Sequence, residues 1–438
     1  MPELLTLGEL GKSESMLGES FQLELPGHEN LVCEEVYRHL PGKRLAFRAH
    51  WGGADVLVKL FFQRKYLERE RRGLKALAEA GIPCPQEVWC LVDEGDGYFI
   101  ATEFLPDAVS LQDCYKGLSP QQLKPLLRDA VKLIGQLHRA GWMQADIHLD
   151  NFLLSQGKLY VIDGGGVEPL SSELNNLALF FAQMVPDYDD LVPEIIDAYG
   201  DNAPVIEELL SAILQMREQR IKYYLSKTIR SCTQFRVEKM SNAFIAYERS
   251  QEGERLRRLM AEPEVAFGSA QFLKRGNTAT VVKLPGNNGE WVLKRYNIKN
   301  FWHGLSRCFR PSRAWISWQS AHRLELLGIA TPKPLAMREN RSGPFRREAY
   351  LVVECAAGDD LNTWLMKWKG LQLPEWLDQQ VVRLFEILWN SHVSHGDMKA
   401  TNFIVVNEQI QLIDLDAVAW HRSDKQFITA IRKDLQRF

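Results

Sequence analysis

A chain of 438 residues is longer than one hydrophobic core usually serves, so two or three domains are expected. With 45% hydrophobic residues, 25% charged residues and a net charge of −3, the composition is that of a globular protein and excludes a broadly basic nucleic-acid binder. The seven cysteines are scattered and never form a C-x-x-C pair, which argues against a disulfide framework and a zinc site and fits a reducing compartment.

In chain order, residues 1–28 read as a poorly packed leader. Met1-Pro2-Glu3 opens no basic region followed by an apolar stretch, so no signal peptide is expected. The apolar run Leu177–Val185, broken by Gln183, is too short to span a bilayer. A cytoplasmic protein is expected, with peripheral contact to the membrane left open.

A hairpin-like stretch then closes on Val56-Leu57-Val58-Lys59, and a helix is predicted across Tyr66–Ala80. Its apolar stripe is Leu67, Leu74 and Leu77, and Glu70 projects from that buried stripe. A carboxylate there is costly unless paired, and Lys59 is its natural partner. The helix ends in Gly81-Ile82-Pro83, and the next apolar strand, Tyr98-Phe99-Ile100-Ala101-Thr102, ends on Glu103. Further on come Asp146-Ile147-His148-Leu149-Asp150-Asn151-Phe152 and then Tyr160-Val161-Ile162-Asp163.

The same order returns in the second half. Lys294 closes the strand Trp291-Val292-Leu293, a helix ends in Gly328-Ile329-Ala330-Thr331-Pro332, and Tyr350-Leu351-Val352-Val353 ends on Glu354. His395-Gly396-Asp397-Met398-Lys399-Ala400-Thr401-Asn402-Phe403 and Ile413-Asp414-Leu415-Asp416 follow. Glu103 and Glu354, Asp146 and Asp397, Asn151 and Asn402, and Asp163 and Asp414 are each 251 residues apart. Four matches at one offset mark a duplication.

This set has the chemistry that phosphoryl transfer demands, which is mostly positioning and charge neutralisation. An Asp, here Asp146 or Asp397, would orient an acceptor hydroxyl and take its proton. An Asn five residues on and a second Asp on the next hairpin would hold Mg²⁺ through hard oxygens: Asn151 with Asp163, and Asn402 with Asp414. Lys59 and Lys294 would contact the α- and β-phosphates of ATP, while Glu103 and Glu354 would mark the hinge beside adenine. Lys399, two residues after Asp397, is placed to touch the transferred group. The hairpins at Pro41-Gly42-Lys43-Arg44 and Lys274–Thr280 are candidates to cover the phosphates, although neither is G-x-G-x-x-G. The copies differ. Ser317 stands where Glu70 stands in the first, so Lys294 lacks that partner, and Gln144 and His148 replace His395 and Lys399. His138 and His392 read as bracing histidines.

The expected fold is α+β, as two tandem bilobal protein-kinase-like domains. Each would have an antiparallel sheet with one helix in its N-lobe and a helical C-lobe. Residues 29–248 form the first and 264–438 the second, which has a short C-lobe; 249–263 would be a linker, because Tyr247–Arg255 is polar all round.

The motifs around Asp397, Asp414 and Gly328 resemble the lipopolysaccharide kinase (Kdo/WaaP) family, over roughly residues 30–438. The resemblance implies ATP- and Mg²⁺-dependent phosphorylation of a heptose or Kdo hydroxyl in lipopolysaccharide core, at the cytoplasmic membrane face. A protein or small-molecule kinase of the same fold, or a pseudokinase-type regulatory protein, stays open, as does whether both domains catalyse. Lys294–Trp315 mixes basic and aromatic residues, so it is a candidate for anionic membrane or glycolipid contact. Nucleic acid is not expected, because no reader motif accompanies this charge.

Overall fold

The computed structural model describes residues 3–5, 20–25, 30–93, 97–287, 289–297, 311–343, 345–369 and 371–438. Two compact units emerge, Met1–Met216 and Arg217–Phe438. Both mix helices with sheets whose strand pairs are antiparallel, except for the short parallel pair Glu3–Leu5 and Phe21–Leu23.

The first unit is built on a seven-stranded sheet. Its strands run, in spatial order, Glu3–Leu5, Phe21–Leu23, Leu31–Leu40, Arg44–Trp51, Ala54–Phe61, Gly97–Glu103 and Glu87–Asp93. Along Ala54–Phe61 the side chains alternate, as a strand dictates. Val56, Val58 and Leu60 are buried on one face among Phe21, Phe47 and Phe99. Lys59 is thereby turned to the other face, which carries the helix Arg64–Glu79. The rest of the unit is largely helical, around Pro120–Arg139 and Glu173–Phe181, with a small hairpin of Phe152–Ser155 and Lys158–Val161. Its core gathers Leu127, Ile134, Phe152 and Phe180.

The second unit repeats this plan on a different frame. Its seven strands are ordered Phe235–Lys239, Ala243–Glu248, Pro334–Ser342, Phe345–Glu354, Glu290–Tyr296, Ala279–Pro285 and Gln271–Arg275. The helix Arg313–Leu326 starts at Ser312, whose side chain caps Trp315 N. The hairpin Phe403–Val406 and Gln409–Leu412 and the helices Glu375–Asn390 and Asp424–Arg437 complete it.

Three sequence expectations are corrected. The boundary lies at 216/217, within the helix Ile206–Lys227, and not at 248. The strand Ala243–Glu248 pairs with Pro334–Ser342, so it belongs to the second sheet. The supposed linker holds the helix Glu254–Ala261, whose Leu256 and Met260, four apart, are fully buried against that sheet. The supposed leader likewise contributes Phe21, Leu23 and Leu25 to the first core.

Candidate active sites

The duplicated Gly-Ile turns show how each unit assembles its site. Gly81 and Gly328 have φ of +70° and +74°, a conformation that favours glycine, and end their helices. The chain after the turn then accepts a backbone hydrogen bond from the strand leading to the second Asp. Val161 N donates to Pro83 O at 2.8 Å, and Leu412 N donates to Ala330 O at 2.9 Å. Asn151 and Asn402 stabilise the facing loop identically. Their carbonyls accept from Ile162 N and Ile413 N, both at 2.9 Å. Their side-chain amides donate to the carbonyls of Asp146 at 3.0 Å and Asp397 at 2.7 Å. Asp163 and Asp414 both adopt left-handed backbone, with φ of 65° and 62°. Non-glycine residues carry strain there, and such strain concentrates at functional sites.

In the first unit the expected pair forms. Lys59 Nζ donates to Glu70 Oε1 at 2.6 Å and to Asp163 Oδ1 at 3.3 Å. Glu70 is buried, and its other oxygen accepts from Gly165 N at 2.8 Å. Burial works to lower the Lys59 pKa, but Glu70 and Asp163 outweigh it, so the ammonium is held above its ordinary value. Burial raises Asp163, and Lys59 and Arg44 more than offset it, keeping the carboxyl below the usual range. Arg44, from the candidate hairpin, stands 3.7 Å from Asp163 Oδ1.

In the second unit Lys294 Nζ donates to Asp414 Oδ1 at 2.7 Å. Ser317 does not replace Glu70; its hydroxyl pairs with Tyr296 OH at 2.9 Å. The missing carboxylate comes from elsewhere. Asp416, 251 residues beyond Gly165, is nearly buried and forms an ion pair with Arg313. Each site therefore sets two cations against two carboxylates: Lys59 and Arg44 with Glu70 and Asp163, and Lys294 and Arg313 with Asp414 and Asp416. Burial and the adjacent Asp414 push the Asp416 carboxyl up, and Arg313 only partly opposes them. The sequence motif contains Asp416 but assigns it no role, because its partner lies about a hundred residues away.

Lys294, Asp414 and Asn402 line a cavity of about 430 Å³, with apolar walls such as Ala279, Val292 and Leu351. Glu354 and Lys274 also line it. That volume and lining suit a flat aromatic group bearing a charged tail. Glu103 is exposed at its strand end and accepts from Gln86 N at 3.2 Å.

The expected Mg²⁺ ligands fit their role. The Asn151 and Asn402 amide nitrogens each donate to a backbone carbonyl, and that of Asn151 also to Gln144 Oε1 at 3.5 Å, leaving each amide oxygen as the donor for a hard cation. Among the described residues no three His, Cys, Asp or Glu side chains are gathered for a metal. An Asn–Asp pair completed by nucleotide phosphates needs no such group.

Asp397 has its own setting. Lys399 Nζ reaches both carboxylate oxygens, at 2.8 and 2.9 Å. The loop is fixed by Asp434, a fully buried carboxylate that accepts from His395 N at 2.7 Å and Gly396 N at 2.9 Å. His395 Nε2 lies 3.0 Å from Ile413 O. In the first unit Gln144 takes that place and donates to Ile162 O at 2.8 Å. His138 braces this loop through Tyr199 OH at 2.6 Å and Asn176 Oδ1 at 2.9 Å, and Asn176 donates to Gln144 O.

Burial lowers the pKa of both His138 and His395, keeping them neutral in the fold. Unfolded, each takes a proton near the ordinary value of about 6.5. Their contribution to stability is therefore complete above that pH and is lost progressively as pH falls toward the depressed folded pKa. The thermal midpoint should drop between pH 7.5 and 5.5, and His395→Gln should flatten that slope; an equal slope would remove His395 from the account.

Of the basic–aromatic stretch, 298–310 lies outside the described residues. Its described parts are engaged within the second unit: Arg295 pairs with Glu264, Arg313 with Asp416, and Trp315 packs 5.1 Å from Phe244. Among the described residues no helix is long and apolar enough to cross a membrane.

A lysine tied to an aspartate after a short hairpin, facing an Asp-x₄-Asn loop, defines the kind of site found in protein-kinase-like phosphotransferases. The sequence model of the lipopolysaccharide kinase (Kdo/WaaP) family matches residues 55–164 and 258–438, and the chain belongs to that family, whose members are kinases. A probable bifunctional tRNA threonylcarbamoyladenosine biosynthesis protein of Methanospirillum hungatei JF-1 is 28% identical over 158 residues, 34% of this chain. The chain spans 28% of the length of that relative. Among solved structures, WaaP in complex with acyl carrier protein aligns with a TM-score of 0.34 and 22% identity, covering 43% of this chain and 88% of that one.

Proposed function

We propose that this protein is an ATP- and Mg²⁺-dependent kinase of two tandem bilobal kinase-like domains, phosphorylating a sugar hydroxyl, heptose or Kdo, of lipopolysaccharide core. The family membership supports the reaction class and the acceptor class. The observation that carries the reading is the second unit's constellation: Lys294 on Asp414 at 2.7 Å, and Asn402 holding the Asp397 loop, at the mouth of an apolar cavity.

Bound MgATP would supply the transferable phosphoryl group with its charge partly neutralised. The chain's own residues do the rest. Lys294, and Lys59 in the first unit, hold phosphate oxygens. Asn402 with Asp414, and Asn151 with Asp163, hold the metal. Asp397 accepts the acceptor's hydroxyl proton at its carboxylate, and Lys399 offsets charge on the moving group. Glu354 and Glu103 flank the adenine end. The work is done in the cytoplasm, at the membrane face where a glycolipid acceptor is presented.

A second reading concerns the first unit alone. It holds the complete set Lys59, Glu70, Asp146, Asn151 and Asp163, with His148 where the second has Lys399, and Asp146→Asn decides whether it transfers phosphate or only holds nucleotide.

The test is transfer of the terminal phosphate of ATP to purified lipopolysaccharide core by the full chain. Transfer should vanish with a chelator and return with Mg²⁺. A folded protein that binds MgATP yet modifies no sugar of the core would sink this acceptor and shift weight to another substrate.

A further inference from the structure

A basic concavity lies beside Asp397, apart from the nucleotide cavity. It measures about 710 Å³, and its lining includes Gly396, Lys425, Thr429, Lys433, Asp434 and Arg437. None of these lines the cavity that holds Lys294 and Asp414. Lys425, Thr429, Lys433 and Arg437 recur every four residues on the helix Asp424–Arg437 and therefore follow one side of it. All four are exposed.

The helix is anchored to the catalytic loop. Asp434, on its buried side, takes the N–H groups of His395 and Gly396. Arg437 Nη1 donates to Gly396 O at 2.5 Å and lies 3.5 Å from Asp397 Oδ1. The lining thus holds three cations and one carboxylate, Asp434, whose oxygens are already taken by backbone donors; Arg437 is also paired with Asp397, which leaves Lys425 and Lys433 as the cations for a ligand. The row ends at Arg437, which reaches Asp397, and none of its residues lines the cavity proposed for ATP.

We infer that this face of the helix Asp424–Arg437 is the acceptor's anion subsite, recognising a phosphate monoester or carboxylate already present on the sugar whose hydroxyl meets Asp397. The inference rests on the kinase reading in calling the ligand an acceptor, but the anion site itself does not need ATP. Lys425 and Lys433 supply charge-assisted hydrogen bonds to the anion, and Arg437 links the subsite to the catalytic loop. The acceptor is therefore a sugar that an earlier reaction has charged, by phosphorylation or by forming an acidic sugar.

The test uses glucose 6-phosphate as a probe, with glucose as its uncharged control, titrated into the full-length protein without nucleotide at low ionic strength. Glucose 6-phosphate should bind, and glucose should not. Lys425→Gln/Lys433→Gln should weaken that binding roughly tenfold or more, as removal of two charge-assisted hydrogen bonds would do. Its thermal midpoint reports that it is folded. Lys65→Gln/Arg72→Gln, which removes two exposed cations from the helix Arg64–Glu79, should leave the affinity unchanged. Equal binding of the two sugars, or equal weakening by both double variants, overturns the inference. Binding to anionic phospholipid vesicles that is lost in Lys425→Gln/Lys433→Gln, with no binding of glucose 6-phosphate, also overturns it by making the ligand a lipid headgroup. Failure of phosphate transfer by the parent would count against the kinase reading and leave this binding result unaffected.

Discussion

Asp397→Asn is expected to lower the rate of phosphate transfer by about 10²–10⁴-fold, the contribution typical of a positioned general base. That range corresponds to about 3–5 kcal/mol of transition-state stabilisation. The substitution keeps the side chain's shape and removes its charge and proton affinity. The loop should stay in place, because Asn402 grips the Asp397 backbone carbonyl and Asp434 grips the two preceding amides. Asp397 does not line the cavity proposed for ATP, so ATP affinity should change little, whereas Lys294→Met should weaken it. Rapid-quench transfer assays beside nucleotide titrations separate the two effects. Asp146→Asn should leave most of the transfer intact if the second unit is the transferase. The reverse pattern, with Asp146→Asn inactive and Asp397→Asn active, would move catalysis to the first unit. Full activity in both single variants and in the double variant would remove both aspartates from the chemistry.

The parts of these sites that were legible in the sequence are those set by local spacing. Glu70 could be placed on the buried stripe of its helix because 3.6-residue periodicity is local, and Lys59 followed as its partner. The constant offset between Asp146–Asn151–Asp163 and Asp397–Asn402–Asp414 revealed the loops, and the structure brings Asn and Asp loops together alike in both units. What stayed hidden depends on chain segments far apart in sequence. Asp416 finds Arg313, and Asp434 finds the amides of His395 and Gly396, through tertiary packing that no motif announces. The domain boundary was misplaced for the same reason. The segment 235–248 fell in the first domain because the polar stretch after it read as the break, but its strand Ala243–Glu248 finds its partner near residue 340. The polar stretch Tyr247–Arg255 marked the break, but the helix Glu254–Ala261 that follows it buries Leu256 and Met260.

The first unit's lack of a bulky residue after Asp163 has a physical reason, and it leads to the largest expected stability effect. Gly164-Gly165-Gly166 follows Asp163, and the helix Arg64–Glu79 lies directly on it at Gly73. A β-carbon at Gly73 would come within 1.8 Å of the Gly164 carbonyl oxygen, and one at Gly164 within 2.5 Å of the Glu70 carbonyl oxygen. Both obstacles are backbone, so no side-chain rotation relieves them. Alanine at position 73 would gain at most about 1 kcal/mol of helix propensity. The overpacking should cost about 3 kcal/mol, so destabilisation wins. For a unit of this size the net loss should lower the thermal midpoint by about 4–8 °C. Gly117→Ala is the control, since a β-carbon there meets nothing within 4 Å and its helix should be unharmed or slightly stabilised. Gly73→Ala should do more than destabilise. Pushing the helix off the loop stretches Glu70 from both Gly165 N and Lys59, so nucleotide affinity in the first unit should fall with the midpoint. A Gly73→Ala protein as stable as the parent would show that the helix and the glycine loop do not meet at this distance. A destabilised protein with undiminished nucleotide binding in the first unit would instead show that the Lys59–Glu70 pair survives the helix's displacement, and that Glu70 is not what positions Lys59.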